Sequence, residues 1–177
     1  RIEEGFVDVR NPYDPHQLSR IYLNEQSVDV LVFCTKNPLP ILPYIKQIPF
    51  PMLFHVTLTP YHKEIEQLPS KKEILKAIRF LAKQLGKEHV VVRYDPIFLS
   101  DTYTLEYHRK AFQRLCEQLE GYVSTIIISF VDMYKNTKEN IAKMSLQTMR
   151  PSDMLEIGKS FGEIAKKHHL HLQTCAE

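Results

Sequence analysis

The sequence lacks the features that mark several large classes of protein. Its 177 residues contain no tryptophan and five glycines. No apolar run approaches the roughly 20 residues that cross a bilayer, and no cleavable signal sequence is visible. Lysine and arginine number 23 and aspartate and glutamate 21, so a net charge of +2 gives no general nucleic-acid footprint. The composition therefore predicts an ordinary globular domain with one core.

The cysteines are few and scattered. Cys34, Cys116 and Cys175 form neither a disulfide framework nor a closely spaced metal-binding cluster. This usage predicts a reducing, cytoplasmic location and assigns no metal ligand within the chain. Glycine-rich phosphate-binding loops are also missing after the predicted strands, which argues against a nucleotide-binding doubly wound fold.

Short apolar runs rich in β-branched residues alternate with amphipathic helical patterns. The predicted strands are 28–33, 53–58, 89–93, 125–131 and 170–174. The predicted helices are 71–85, 105–119 and 152–167, with shorter ones at 41–47 and 137–144. Nearly continuous apolar strands separated by helices indicate a parallel sheet that is covered by helices.

This pattern predicts an α/β fold that is TIM-barrel-like, a partial β/α barrel with parallel strands and outer helices. Two alternating runs, 5–10 and 17–23, flank a turn-rich segment and predict a short N-terminal β-hairpin. We expect one domain over 1–177, with a helix end and the hairpin in 1–24 and successive β–α units in 25–177. The chain begins without Met and ends on a predicted strand, which is typical of an excerpt from a longer protein.

Polar and ionisable residues cluster where the predicted strands end. In parallel α/β proteins this edge binds ligands, because its loops vary without disturbing the core. Strand alternation places Arg93 and Asp95 on one face. The predicted catalytic residues are Asp95 and Glu177, and the predicted substrate- or cofactor-binding residues are Thr35, Lys36, Thr57, Thr59, Arg93, Ser129, Asp132 and Cys175.

Several of these residues also have a purely structural interpretation. Arg93 and Asp95 are equally compatible with a buried ion pair, since buried charges are rarely left unpaired. His55 sits deeper in its strand and is expected to be a hydrogen-bonded core histidine. The three histidines within 168–171 look like a metal tract but fall at the opposite edge of the sheet, where a solvated surface is favoured.

The strand-end phrases resemble those of one known family. In chain order they are RNP at 10–12, HQLSR at 16–20, TKNP at 35–38, TLT at 57–59, RYDP at 93–96, ISFVD at 128–132 and TCAE at 174–177. Together they are similar to the bacterial family called domain of unknown function 1848, and the resemblance covers essentially the whole chain. Relatives are expected to carry an aromatic residue at position 34, which is Cys here.

The resemblance implies a TIM-like barrel and a likeness to radical S-adenosylmethionine (SAM) proteins. Family members are expected to carry a C-terminal cysteine cluster, similar to the iron–sulfur motif of radical enzymes, and a first strand ending in an Arg-Thr-Asp-Ile-Pro-like phrase. Both features would lie outside this chain. The resemblance therefore implies a 4Fe-4S cluster and SAM as cofactors, with no cluster ligand assignable within the chain.

Three functions fit these observations. In the first, an iron–sulfur, radical SAM-like barrel binds a small polar or anionic substrate at its mouth, where Arg93 pairs with an anionic group. In the second, a cluster-free hydrolase or lyase uses Asp95 and Glu177 as general base and acid. The third is a barrel that binds a small molecule without turnover. In each, the expected partner is a small molecule, with neither nucleic acid nor a membrane.

Overall fold

The computed structural model describes residues 1–131 and 146–175. These residues form an α/β fold with a five-stranded parallel sheet, flanking helices and a separate antiparallel hairpin. None of the described helices is both long and apolar enough to span a membrane. The predicted helix at 137–144 lies outside the described residues, and so do the predicted site residues Asp132 and Glu177.

The described elements follow the predicted rhythm of strands and helices. They are β1 (Phe6–Arg10), β2 (Leu18–Tyr22), β3 (Leu31–Thr35), a 3-10 helix (Leu39–Gln47), β4 (Met52–Thr57), α1 (Lys71–Leu85), a short 3-10 turn (Lys87–His89), β5 (Val90–Ile97), α2 (Leu105–Leu119), β6 (Thr125–Phe130), α3 (Pro151–Lys167) and β7 (His171–Thr174). The ends of several strands differ from the prediction by a few residues. The predicted hairpin is confirmed as β1 and β2, which pair antiparallel.

Helix α1 begins and ends where local signals place it. The Ser70 hydroxyl accepts a hydrogen bond from the Glu73 N–H, and the Glu73 carboxylate accepts one from the Ser70 N–H. This reciprocal pair satisfies donors that a helix start otherwise leaves unbonded. Gly86 ends the helix with a φ of 98°, a backbone conformation that favours glycine.

The parallel sheet has the strand order β3–β4–β5–β6–β7. Each strand along the chain is therefore added beside the one before it, with the longer helices in the connections between β4 and β7. Within the described residues β3 and β7 are the two edges of the sheet, so the predicted barrel is not confirmed. The parallel sheet and its α/β class are confirmed.

The two faces of the sheet differ in what covers them. On one face Phe54, Val92 and Ile128 are fully buried in a core that also contains Ile78 of α1 and Phe161 of α3. The alternate strand residues point to the other side, which we call the open face. The open face carries Val32, Cys34, Leu53, His55, Thr57, Val91, Arg93, Asp95, Ile127, Ser129, Gln173 and Cys175.

His55 corrects one sequence-based expectation. It is half-buried on the open face, with Cys34 and Val91 as its register partners, and lies outside the helix-covered core. Burial and the nearby Arg93 charge both lower the pKa of His55, with burial the larger cause. The prediction of a core histidine was wrong because alternation alone does not say which face of a strand the helices cover.

Candidate functional site

Three side chains meet on the open face at the carboxyl ends of β5 and β6. The Arg93 guanidinium donates to Oδ2 of Asp95 through Nε at 3.0 Å and through Nη2 at 2.6 Å. The Ser129 hydroxyl donates to the other carboxylate oxygen, Oδ1. The side chains of the ion pair are 21% and 24% exposed, so they are mostly but not fully removed from water.

The strand register explains this meeting. Arg93 is the register partner of Thr57 on β4 and of Ile127 on β6. Because alternate residues of a strand share a face, Asp95 and Ser129 follow one step further toward the carboxyl ends. Neighbouring strands lie about 4.8 Å apart, which is within reach of a serine–carboxylate hydrogen bond.

Cys175 extends this cluster from the far side of β6. Its backbone N–H donates to the Ile128 carbonyl at 3.0 Å, which continues the β6–β7 pairing past the end of β7. Its side chain faces Arg93, and the interaction with Cys175 is the largest cause that raises the pKa of Arg93, with the Asp95 interactions adding to it and burial opposing. Arg93 is therefore a permanent cation on the open face. We call Arg93, Asp95, Ser129 and Cys175 the arginine cluster.

A second polar cluster lies at the same edge of the sheet, beyond β3 and β4. Glu66, in the loop before α1, accepts a hydrogen bond from Lys36 through Oε1 and from the Thr59 hydroxyl through Oε2. The Lys71 ammonium donates to the Thr59 carbonyl oxygen at 2.6 Å. Desolvation is the main cause that lowers the pKa of Lys71. We call these four residues the rim cluster.

The structure thus gathers most of the predicted site residues into two neighbouring groups. Arg93, Asp95, Ser129 and Cys175 belong to the arginine cluster. Thr57, the register partner of Arg93, lies on the same open face.

Of the remaining predicted residues, Lys36 and Thr59 belong to the rim cluster. Thr35 joins neither group, because its register partner Val56 places it on the helix-covered side. Its hydroxyl accepts the Asn37 N–H at 3.0 Å in the turn that follows β3. Asp132 and Glu177 lie outside the described residues.

Sequence reasoning missed Glu66 and Lys71. Both lie outside the strands, one in a loop and one in the first turn of α1, where period-two alternation carries no information. The usable signal was the position of their segment. It directly follows the strand-end phrase at 57–59, and loops after parallel strands supply ligand-binding groups.

His108 is a buried structural residue next to this edge. The Tyr94 hydroxyl lies 2.8 Å from Nδ1 of His108, and Nε2 lies 2.9 Å from the Phe98 carbonyl oxygen. The neutral tautomer with its proton on Nε2 satisfies both contacts. Burial lowers the pKa of His108, as this arrangement requires.

The described residues do not provide a set of ligands for an iron–sulfur cluster. Across residues 1–131 and 146–175, no three His, Cys, Asp or Glu side chains are grouped so that they could hold a metal ion. Cys116 is fully buried, and burial raises the pKa of its thiol to about 12.

The arginine cluster has the charges that an amino-acid group requires, since a guanidinium pairs with a carboxylate and a carboxylate with an ammonium.

The comparison with protein families shows which family the chain belongs to. The family "Domain of unknown function (DUF1848)" matches the chain over residues 1–177. The chain belongs to this family. Its strand-end phrases, including those of the arginine cluster, therefore belong to a DUF1848 protein, as the resemblance predicted.

The fold of this DUF1848 chain is also similar to a solved structure. That structure is "Spore photoproduct lyase complexed with dinucleoside spore photoproduct", with a TM-score of 0.59 and 15% sequence identity. The match covers 81% of this chain and 50% of the lyase chain, so the DUF1848 chain spans about half the length of the protein it resembles. At this identity the likeness shows a shared fold. No curated protein matches the sequence.

Proposed function

We propose that this DUF1848 chain is the barrel portion of a radical SAM-like enzyme that binds a small polar or anionic substrate at the carboxyl ends of its strands. The observation that carries the proposal is the fold likeness to spore photoproduct lyase, a radical SAM enzyme. The likeness to radical SAM proteins that the strand-end phrases imply agrees with it. The dinucleoside bound in that structure is the lyase's own ligand, and the balanced charge of this chain favours a smaller substrate.

The strand order supports a barrel in the complete protein. Strands added one after another in the same direction, as from β3 to β7, are the arrangement of a β/α barrel. In such a barrel the open face points inward, and the arginine cluster sits at the mouth. The mouth is where barrel enzymes bind their ligands.

The arginine cluster is built for binding more than for proton transfer. Both oxygens of Asp95 are already engaged, one by Arg93 and one by Ser129. Asp95 therefore orients the guanidinium, whose remaining N–H groups can pair with a carboxylate or phosphate. This geometry favours the redox enzyme over the hydrolase or lyase that uses Asp95 as a general base.

In this proposal the cofactors supply the redox chemistry and the residues of the chain bind and orient the ligands. When bound, a 4Fe-4S cluster and SAM supply the one-electron chemistry that such enzymes use. The cluster ligands are proposed to lie outside this chain. Arg93, oriented by Asp95, would hold the carboxylate of the amino-acid part of SAM or an anionic group of the substrate, while Thr57 and Ser129 provide neutral hydrogen bonds. A cytoplasmic location and a bacterial source are part of the proposal.

The test is SAM cleavage by the full-length protein, purified without oxygen, reconstituted with iron and sulfide, and reduced with dithionite. We expect methionine and 5′-deoxyadenosine, and we expect Arg93→Met to lower product formation at least tenfold. Arg109→Met is the matched control, because Arg109 is half-exposed on α2 and pairs with Glu106. Absence of both products from the wild-type protein would reject the proposal and leave a hydrolase or a non-catalytic binding barrel.

A further inference from the structure

A cavity of about 270 Å³ lies beside the carboxyl end of β4, between that strand and the start of α1. Its apolar wall is formed by Leu58, Leu68 and Ile74. Its polar side carries Lys63 and Lys71. A site with an apolar wall and a few convergent polar groups has the usual composition of a small-molecule pocket.

The charges around this cavity leave an excess of positive charge. Glu66 also lines it, but both of its carboxylate oxygens are engaged, one by Lys36 and one by Thr59. Among the described residues no carboxylate forms an ion pair with Lys63 or Lys71. The cavity therefore presents two ammonium groups against one carboxylate that is already paired.

Lys71 is placed to receive an anion. Its ammonium has three donors, and the hydrogen bond to the Thr59 carbonyl uses one of them. That bond fixes the ammonium at the cavity wall while leaving donors for a ligand. Since a carbonyl oxygen neutralises no charge, the ammonium still attracts an anion.

A second cavity makes the site longer and more apolar. Its volume is about 240 Å³, and it shares Leu58, Thr59 and Lys71 with the first. Its further lining includes Leu75 and Ala111, from helices α1 and α2. Lys71 thus lies at the boundary between the two cavities. A ligand that carries an anionic group on an apolar body can pair its anionic group with Lys71 and pack its apolar part against the apolar lining.

We propose that Lys71 anchors the carboxylate or phosphate group of a small organic anion in this cavity, with the apolar part of the ligand against Leu58, Leu68 and Ile74. The site uses none of the arginine-cluster residues. The proposal of this anion site is therefore independent of the radical SAM proposal, and an experiment that rejects one of them does not reject the other.

The test is isothermal titration of the full-length protein at neutral pH and low ionic strength, with phenyl phosphate, benzoate, inorganic phosphate and acetate as probes. We expect one saturable site for phenyl phosphate or benzoate, and at least tenfold weaker binding of the matching ion without the ring. A preference for phenyl phosphate would assign a phosphate ligand, and a preference for benzoate a carboxylate.

Two lysine variants distinguish specific binding in the cavity from non-specific electrostatic attraction of the anion to the protein surface. Lys71→Met is expected to weaken binding at least tenfold, whereas Lys72→Met changes it less than twofold. Lys72 is exposed in the same helical turn, carries the same charge and does not line either cavity. Should Lys71→Met fail to fold, Leu68→Glu provides the second variant, because a carboxylate on the lining should abolish binding. No saturable binding of any probe, or equal losses in both lysine variants, would overturn the proposal.

Discussion

His108 makes the stability of this protein depend on pH in a predictable direction. Its ring is fully buried, and its two nitrogens contact the Tyr94 hydroxyl and the Phe98 carbonyl oxygen. Protonation would bury a charge and replace the acceptor that faces Tyr94 with a second donor. The folded protein therefore resists a proton that the unfolded chain accepts.

The sign and size of the effect follow from linkage. Burial lowers the pKa of His108 in the folded state, so the unfolded state binds more protons between that lowered pKa and the unfolded value of about 6.5. The stability from the neutral ring is fully present above pH 6.5 and is lost as the pH falls toward the folded pKa. If the ring stays neutral in the folded protein, the loss between pH 7.5 and 5.5 reaches about 1.4 kcal/mol.

The perturbation is His108→Gln, whose side-chain oxygen can accept from Tyr94 and whose nitrogen can donate to the Phe98 carbonyl without titrating. Urea unfolding followed by circular dichroism at pH 5.5, 6.5 and 7.5 gives the free energy of unfolding of each protein. We expect the wild type to lose more than the variant over this range, by up to about 1.4 kcal/mol. His55 acts in the same direction in both proteins, so it cancels in the comparison. Equal pH dependence in the two proteins would refute the assignment of a buried neutral ring.

Three further predictions test the arginine cluster, the core and the thiols. Asp95→Asn leaves the Arg93 guanidinium without its counter-charge, and urea unfolding should show a loss of about 1–3 kcal/mol, below the cost of breaking a fully buried pair. The control Asp8→Asn breaks an exposed hairpin pair and should cost less, so an equal cost would contradict the partial burial of Asp95. Phe112→Ala removes a ring stacked on Phe161 at a centroid distance of 3.9 Å, and should lower the free energy of unfolding by about 3–5 kcal/mol. A loss below 1 kcal/mol would contradict the packing of α2 against α3. A thiol reagent such as Ellman's should label exposed Cys34 and Cys175 rapidly and Cys116 only on unfolding, since the Cys116 thiol is buried with a pKa of about 12. Fast labelling of Cys116 in folded protein would contradict that burial.

The parts of the fold that depend on local signals were predictable from sequence. Helix α1 begins at the Ser70–Glu73 capping pair and ends at Gly86, so residues at its own ends determine where it starts and stops. The hairpin was equally predictable, because two alternating runs joined by a turn-rich segment favour pairing with each other. Strand β3 was less so. Its start at Leu31 depends on pairing with Met52, a residue distant in the chain.

The candidate site divides in the same way. Arg93 and Asp95 were predictable as neighbours on one face, since strand alternation relates residues two apart. Their contacts with Ser129 and Cys175 depend on the order of the strands. Strands that follow one another in the chain usually lie side by side in a parallel sheet, so this order was predictable. The engagement of Lys36 with Glu66 was not predictable, because it depends on the path of the loop before α1. Closure of a barrel is a property of the whole set of strands, so no local sequence pattern predicts it.

The most direct test of the central claim is spectroscopic. The full-length protein, purified without oxygen and reconstituted with iron and sulfide, is examined by visible absorption and electron paramagnetic resonance with and without SAM. The account predicts an iron–sulfur signal in the reduced protein that shifts when SAM is added. A protein that stays colourless after reconstitution, or a cluster signal that SAM leaves unchanged, would contradict a radical SAM-like function.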